Sequence, residues 1–223
     1  MLSIAILASG SGTNAQAIID KIEAGILDAR IALLICDKPG AAVIERARRH
    51  GLPCEVMERK SFANRETFDR AMLDRLDPAG CELIVLAGYM RLLSPLFLEA
   101  YPGRVINIHP ALLPSFPGVH GIRDAYDYGV KLAGPSAHFV EEKMDSGPLI
   151  IQAAVTCDLS QGIERLEAKI HAAEHRIYPQ AIQWIAEGRL ERDGRAVYLK
   201  DAGKKKAPPP EGTLVFPPLE EGF

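Results

Sequence analysis

A doubly wound α/β architecture is predicted for this chain: a mostly parallel sheet with helices on both faces, followed by a small C-terminal hairpin. Three observations predict it. Strand-length apolar runs alternate with amphipathic segments of helix length from Leu2 onward. The first run ends in a glycine loop that opens a helix, and a later one ends in Asn107 and His109. Polar groups therefore gather at carboxyl ends of strands, where open parallel sheets bind their ligands.

Taken in order, Leu2 to Ala8 suits a buried strand, and Ser9-Gly10-Ser11-Gly12-Thr13-Asn14 leads into a helix from about Ala15. Ile31 to Cys36 reads as the next strand, Ala41 to His50 as a helix closed by Gly51, and Cys54 to Met57 as a short strand. Arg65 to Leu76 is helical after the cap Asn64. Leu83 to Ala87 is a fully apolar strand, and Ser94 with Pro95 starts another helix. A strand through His109 is followed by a Pro-rich loop and a helix over Ile122 to Tyr128. Ser136 to Val140 and Leu149 to Val155 can pair back as a hairpin across the polar loop Glu141 to Pro148. A long amphipathic helix runs from about Ile163 to Glu187, kinked or split by Pro179, and Leu190 to Leu199 reads as a hairpin turning at Asp193-Gly194. Residues 1–200 form one domain in this reading. Residues 201–223, with their lysines and prolines, form a flexible tail.

Two stretches carry chemistry. In Val105 to His109 the side-chain period of two puts Asn107 and His109 on one face while Ile106 and Ile108 pack on the other. Two neutral hydrogen-bonding groups side by side, stopped by Pro110, point to a site more than to a core strand. In the glycine loop the amides of Gly12, Thr13 and Asn14 face outward at a helix N-terminus, where the dipole favours an anion and phosphate is the natural guest. The spacing is neither G-x-G-x-x-G nor the P-loop pattern with its lysine, so neither a dinucleotide nor a nucleoside triphosphate is indicated. Asp145, before Ser146-Gly147-Pro148, reads on its own as a turn residue.

Composition bounds these readings. The 223 residues are 48% hydrophobic and 25% charged with a net charge of -3, an ordinary globular balance without the basic field that holds a nucleic acid. The four cysteines, Cys36, Cys54, Cys81 and Cys157, form no C-x-x-C pair, the start lacks a signal-peptide pattern, and no apolar run is long enough to span a bilayer. A reducing cytoplasm fits best. His171-Ala-Ala-Glu174-His175 matches the inverted zinc-peptidase pattern H-x-x-E-H, but a catalytic zinc needs a third protein ligand, and few ordered residues are expected to follow.

Five separated blocks carry a family resemblance: Ser9 to Asn14, Leu86 to Ser94 (Leu-Ala-Gly-Tyr-Met-Arg-Leu-Leu-Ser), Asn107 to Gly118, His138-Phe-Val, and Asp145-Ser-Gly-Pro. In order and spacing the chain to about Leu199 resembles the phosphoribosylglycinamide formyltransferases, folate-dependent enzymes of Rossmann-like fold. The resemblance implies transfer of a formyl group from the co-substrate 10-formyltetrahydrofolate to the amine of 5-phosphoribosylglycinamide, a step of purine synthesis, without a metal. It implies Asn107, His109 and Asp145 as the catalytic trio, Gly12, Thr13 and Asn14 as phosphate ligands and Glu174 as a ribose contact. Arg65, Met90, Arg91, Leu92, Leu93, Phe97 and Val140 fall on folate positions. Its partners would be these small molecules, with no nucleic acid or membrane, in a cytoplasmic monomer or weak homodimer. Pro135 and His171 depart from the family pattern. Relatives with the same core supply alternatives. Methionyl-tRNA formyltransferase would need a further C-terminal domain, and formyltetrahydrofolate deformylase an N-terminal regulatory one. A non-catalytic nucleotide-binding module would leave the trio without a joint purpose.

Overall fold

The structure, a computed structural model, describes residues 1–201 and 203–223. The chain forms two compact units: residues 1–107 with 140–142, and residues 108–139 with 143–223.

The first unit holds β1 (Leu2–Ala8), α1 (Thr13–Glu23), β2 (Ala29–Cys36), α2 (Ala42–Arg49), β3 (Cys54–Val56), α3 (Arg65–Leu76), β4 (Leu83–Leu86) and α4 (Pro95–Ala100). The strand β5 (Val105–His109) starts in this unit and runs into the second. The strands pair in parallel in the order β3-β2-β1-β4-β5. The chain winds outward from β1 on one side, then returns to β4 on the other, so the topological switch lies at the carboxyl end of β1. Alternate residues serve two buried faces, which is why the strands read as unbroken apolar runs. Ala5, Leu7, Leu33, Ile35, Ile84 and Leu86 share a core with Phe68 and Met72 of α3 and Phe97 of α4. The intervening Ile4, Ile6, Leu34 and Val85 are as deeply buried, as are Ile18 and Ile19 of α1 and Val43 of α2. Each of these side chains larger than alanine contributes roughly 1.5–3 kcal/mol by leaving water.

Helix starts follow the sequence signals, with one shift. The Asn64 side chain accepts from the Thr67 amide (2.9 Å) while the Asn64 amide donates to Thr67 Oγ1 (3.2 Å), a reciprocal capping box. Ser94 caps α4 ahead of Pro95. The helix expected from Ala15 begins at Thr13, so Thr13 and Asn14 are its first turn.

The second unit continues with α5 (Gly121–Tyr128), β6 (Leu132–Ala133), β7 (Ser136–Phe139), β8 (Leu149–Thr156), α6 (Ile163–Ala186), β9 (Leu190–Asp193), β10 (Ala196–Leu199) and β11 (Thr213–Phe216). Antiparallel pairing joins β8 to β7, β6 and β11, and β9 to β10 in a separate hairpin. The helix α6 packs on β8 and β7. Of the two expected outcomes at Pro179, a kink or a split, the split is absent: the helix is continuous, Pro179 and its neighbours Tyr178, Gln180 and Ala181 are all buried, and packing holds the helical path where propensity would end it.

The expectation of a flexible tail after residue 200 is corrected. Ala202 lies outside the described residues, but β11 pairs with β8 from Thr213↔Val155 to Phe216↔Gln152, and Val215, Leu219 and Phe223 are buried. Arg189 Nη2 meets Glu220 Oε1 at 2.7 Å, both side chains buried, and the Glu220 amide donates to Gln180 Oε1 (2.8 Å). The lysines and prolines of 204–210 do resist burial. The apolar residues after them find a sheet edge and a helix face.

Candidate active site

The loop after β1 is shaped by a single glycine. Gly12 has φ 72° and ψ 28°, a left-handed conformation that L side chains rarely adopt. A Cβ there would lie 2.5 Å from Val43 Cγ2 and 3.0 Å from Val43 Cα. The loop is also gripped from α2, where the Val43 amide donates to the Gly10 carbonyl (3.2 Å) and Arg46 Nε to the Ser11 carbonyl (2.8 Å). The first bond within the helix runs from the Gln16 amide to the Gly12 carbonyl, so the amides of Thr13, Asn14 and Ala15 precede the helical ladder. Such amides bind an anion without any titrating group.

The end of β5 is built from side chains. Asn107, half-buried, and His109, buried, stand two residues apart on the strand, and their side chains share a face. His109 Nε2 donates to the Phe116 carbonyl (2.8 Å), and its Nδ1 faces Asp145 Oδ2 at 3.5 Å. A carbonyl can only accept, so Nε2 carries a proton. A proton on Nδ1 would point at that carboxylate. Asp145 sits in a turn, as its sequence context suggests, but its carboxylate bonds beyond that turn. Its Oδ2 accepts from the Gly118 amide (2.7 Å) across the Pro-rich loop, and its Oδ1 stands 3.9 Å from His138 Nε2. His138 Nδ1 donates to the Phe139 carbonyl (2.8 Å), which directs Nε2 toward the carboxylate. Phe116 (φ 52°) and Asp145 (φ 50°) both lie in the left-handed region, strain of the kind that collects at functional sites. The Pro-rich loop after β5 is held by Ser136, whose hydroxyl donates to the Ala111 carbonyl (2.7 Å) and accepts from the Leu113 amide (3.1 Å). The departure at Pro135 leaves its carbonyl accepting from the Ala153 amide (3.0 Å).

The other expected positions divide by exposure. Leu93, Phe97 and Val140 join one cluster with Tyr89. Phe97 exposes none of its surface, so it carries Leu93 and Val140 from beneath and does not itself meet a ligand. Met90 and Leu92 are exposed at 58% and 47%, unusual for apolar side chains on a well-anchored loop. Arg91 turns its guanidinium inward to Asp37, and Arg65 stands exposed in the first turn of α3. In the second unit Glu174 is buried on α6, and its Oε2 meets His171 Nδ1 at 3.0 Å. This hydrogen bond raises the His171 pKa above its ordinary value. The H-x-x-E-H residues thus include an acid-imidazole pair, and among the described residues no group of three or more His, Cys, Asp or Glu is arranged to hold a metal.

Sequence reasoning passed over two residues near these groups. His138 lies beside Asp145, and its signal was an imidazole two positions after Ser136 in a short alternating strand. Asp37, buried just after β2, left only a charge at the end of an apolar run.

Comparison with known proteins matches this chain to a family. A family model described as formyl transferase covers residues 2–182. The chain is 45% identical over 185 residues to the phosphoribosylglycinamide formyltransferase of Bacillus subtilis (strain 168), spanning 83% of this chain and 95% of that protein. It is 38% identical over 198 residues to the enzyme of that name from Escherichia coli (strain K12), spanning 89% and 93%. Among solved structures, glycinamide ribonucleotide transformylase 1 from Symbiobacterium toebii is similar with a TM-score of 0.88 at 47% identity, covering 90% of this chain and 95% of that one.

Proposed function

The chain belongs to the formyl transferase family, and we propose on that premise that it moves the formyl group of 10-formyltetrahydrofolate to the amine of 5-phosphoribosylglycinamide. It is read as a cytoplasmic enzyme of purine biosynthesis, a monomer or weak homodimer whose partners are small molecules and whose chemistry needs no metal. No helix among the described residues is long and apolar enough to cross a membrane.

The observation that carries the reading is the bracketed imidazole: His109, held between the Phe116 carbonyl and the Asp145 carboxylate, two residues after Asn107 on one strand. When the amine attacks the formyl carbon, a C–N bond forms and the carbonyl oxygen gains negative charge. Donors aimed at that oxygen lower the barrier, each by roughly 3–4 kcal/mol where such donors have been removed singly. The Asn107 amide and the His109 Nε2–H are the donors in this reading, with Nε2 exchanging the Phe116 carbonyl for the oxyanion. Asp145 keeps the charge on the ring and helps to take the proton that the amine must lose, directly or through a water. The C–N bond to the folate then breaks and the folate nitrogen regains a proton. No covalent enzyme intermediate is needed, and burial raises the thiol pKa of Cys36, Cys54 and Cys81, away from nucleophilic use.

Binding roles follow the same reading. The amides of Gly12, Thr13 and Asn14 hold the phosphate, and Glu174 accepts from the ribose hydroxyls. Met90 to Leu93 with Val140, supported by Phe97, line the folate pocket, with Arg65 beside it. The test is release of tetrahydrofolate measured with and without 5-phosphoribosylglycinamide. Release that requires the ribonucleotide, one formyl transferred for each tetrahydrofolate formed, is the expected result. Equal release in its absence would make the protein a deformylase.

A further inference from the structure

The loop between β4 and α4, residues 87–94, combines an exposed apolar tip with an unusually polar and buried set of supports. The Ser9 amide donates to the Gly88 carbonyl (3.1 Å), and the Met90 amide donates to Ser9 Oγ (3.0 Å). The Ser94 amide donates to Asp69 Oδ2 (2.6 Å), and Arg91 Nε donates to Asp37 Oδ2. Ser9, Asp37, Asp69 and Ser94 are each at least 97% buried. Two of these supports satisfy backbone amides and would be expected in any tight loop.

The Asp37 support is different. Its carboxylate side chain is 1% exposed, and among the described residues Arg91 is its one cationic partner and its Oδ1 has no hydrogen-bond partner. A buried carboxylate oxygen left unsatisfied costs stability, and an apolar residue at the end of β2 would avoid that cost. Arg91 in turn gives up full hydration to reach inward from a loop whose neighbours Met90 and Leu92 are held out to solvent. The pair does not shield these apolar side chains. It fixes the backbone that presents them.

We infer that Asp37 is a positioning residue for the folate co-substrate: through Arg91 it sets the pose of the Met90–Leu93 loop, and so governs folate affinity without touching either substrate. This rests on the reading of that loop as folate-binding. Arg91 then acts through its place in the loop, its guanidinium being committed to Asp37. The bonds of Ser9 to Gly88 and Met90 tie the phosphate loop to this segment without passing through the Asp37 carboxylate, so ribonucleotide affinity is insulated from the Asp37 pair.

Steady-state kinetics of the whole chain, with both substrates varied, separates these effects. Asp37→Ala should raise KM for 10-formyltetrahydrofolate by ~10-fold while kcat and the ribonucleotide KM stay within ~2-fold, the signature of lost binding that is uniform between ground and transition states. Arg91→Met should match it, and the double variant should be no worse than either single, since both remove one interaction. Asp37→Asn keeps the shape and one acceptor, serves if Asp37→Ala fails to fold, and should cost ~3-fold. Hydrogen exchange of residues 88–94 with and without folate supplies the control. If folate protects these amides in the parent protein but the three variants leave its KM unmoved, the inference is overturned while the folate loop stands. If folate leaves the amides unprotected in the parent, the loop reading falls and the inference with it. Additive losses in the double variant, or an equal rise in ribonucleotide KM, would mark Asp37 as a general structural support and overturn the inference as well.

Discussion

The loop after β1, in the proposed reading, meets an anion through backbone amides and takes its shape from one glycine and one valine; the end of β5 presents ring nitrogens and a carboxylate, whose shape rests on their mutual contacts. The first construction has no titrating group and no rotamer to fix, so it is indifferent to pH and costs little entropy to hold. It tolerates no Cβ. The second depends on charge: both histidines near Asp145 are buried and its own side chain is 9% exposed, where removing one partner of a pair leaves the other to bear the cost of desolvation. In this division recognition of a constant charge is assigned to backbone, and handling of a changing charge to side chains.

The contrast can be broken most severely at β5. Asn107→Ala and His109→Ala should each lower the single-turnover rate by ~10²-fold or more, and together by less than the product if they serve one oxyanion. Asp145→Asn should fall in the same range, with ribonucleotide and folate affinities largely kept. If Asp145→Asn leaves the rate and the NMR signals of the His109 ring nitrogens where they were, the side-chain construction is wrong.

The next largest effect belongs to the glycine loop. In Gly12→Val the new Cβ would sit on Val43, and the loop must move away from the position in which its amides face an anion. Two or three hydrogen bonds to a charged phosphate, at ~1.5–3 kcal/mol each, correspond to at least ~10²-fold in ribonucleotide affinity. Calorimetry with each ligand alone should show that loss for the ribonucleotide and little change for folate. Equal losses for both would make the loop a structural turn and erase the contrast.

The smallest effect sharpens the pH side of the comparison. The His171 pKa is raised first by its hydrogen bond to Glu174 and also by the charges of Glu174 and Glu167, against desolvation. A group whose folded pKa is raised contributes fully below its ordinary value of 6.5 and loses that contribution as pH climbs through the raised value. The side chain is 48% exposed, so solvent screens the pair. Ribonucleotide KM should accordingly rise by only ~2-fold across that window, and the rise should vanish in His171→Ala. A pH profile unchanged by the substitution would show that the His171 bond to Glu174 does not bear on ribonucleotide binding.

Much of the first unit was readable because its signals are local. Asn64 with Thr67, Ser94 with Pro95, and the apolar runs of β1, β2 and β4 each declare themselves within a few residues. In the second unit the turn at Asp193-Gly194 was readable for the same reason. The strand β11 was not, because the feature that orders it is β8, some sixty positions earlier, and the intervening lysines and prolines dominate the local composition. Within the site, residue types and spacing on β5 pointed to Asn107 and His109. Nothing local shows that Asp145 would reach Gly118, that His138 would stand beside it, or that Arg91 would turn inward. Each of these depends on a partner distant in sequence, and a buried polar residue in an apolar strand has no periodicity of its own.

The Arg189 knot has a thermal consequence. Its guanidinium, 7% exposed, meets Glu220 and Glu187 and donates to the carbonyls of Lys200 and Asp201, tying the segment that carries β11 to the end of α6. Hydration of charged groups becomes less favourable on heating, so the desolvation cost of such a cluster shrinks as temperature rises, while apolar burial gains little more. Buried charges are also poorly reached by counterions. The end of this chain is therefore fastened by an element that holds better in warm solution than in cold and is little loosened by salt.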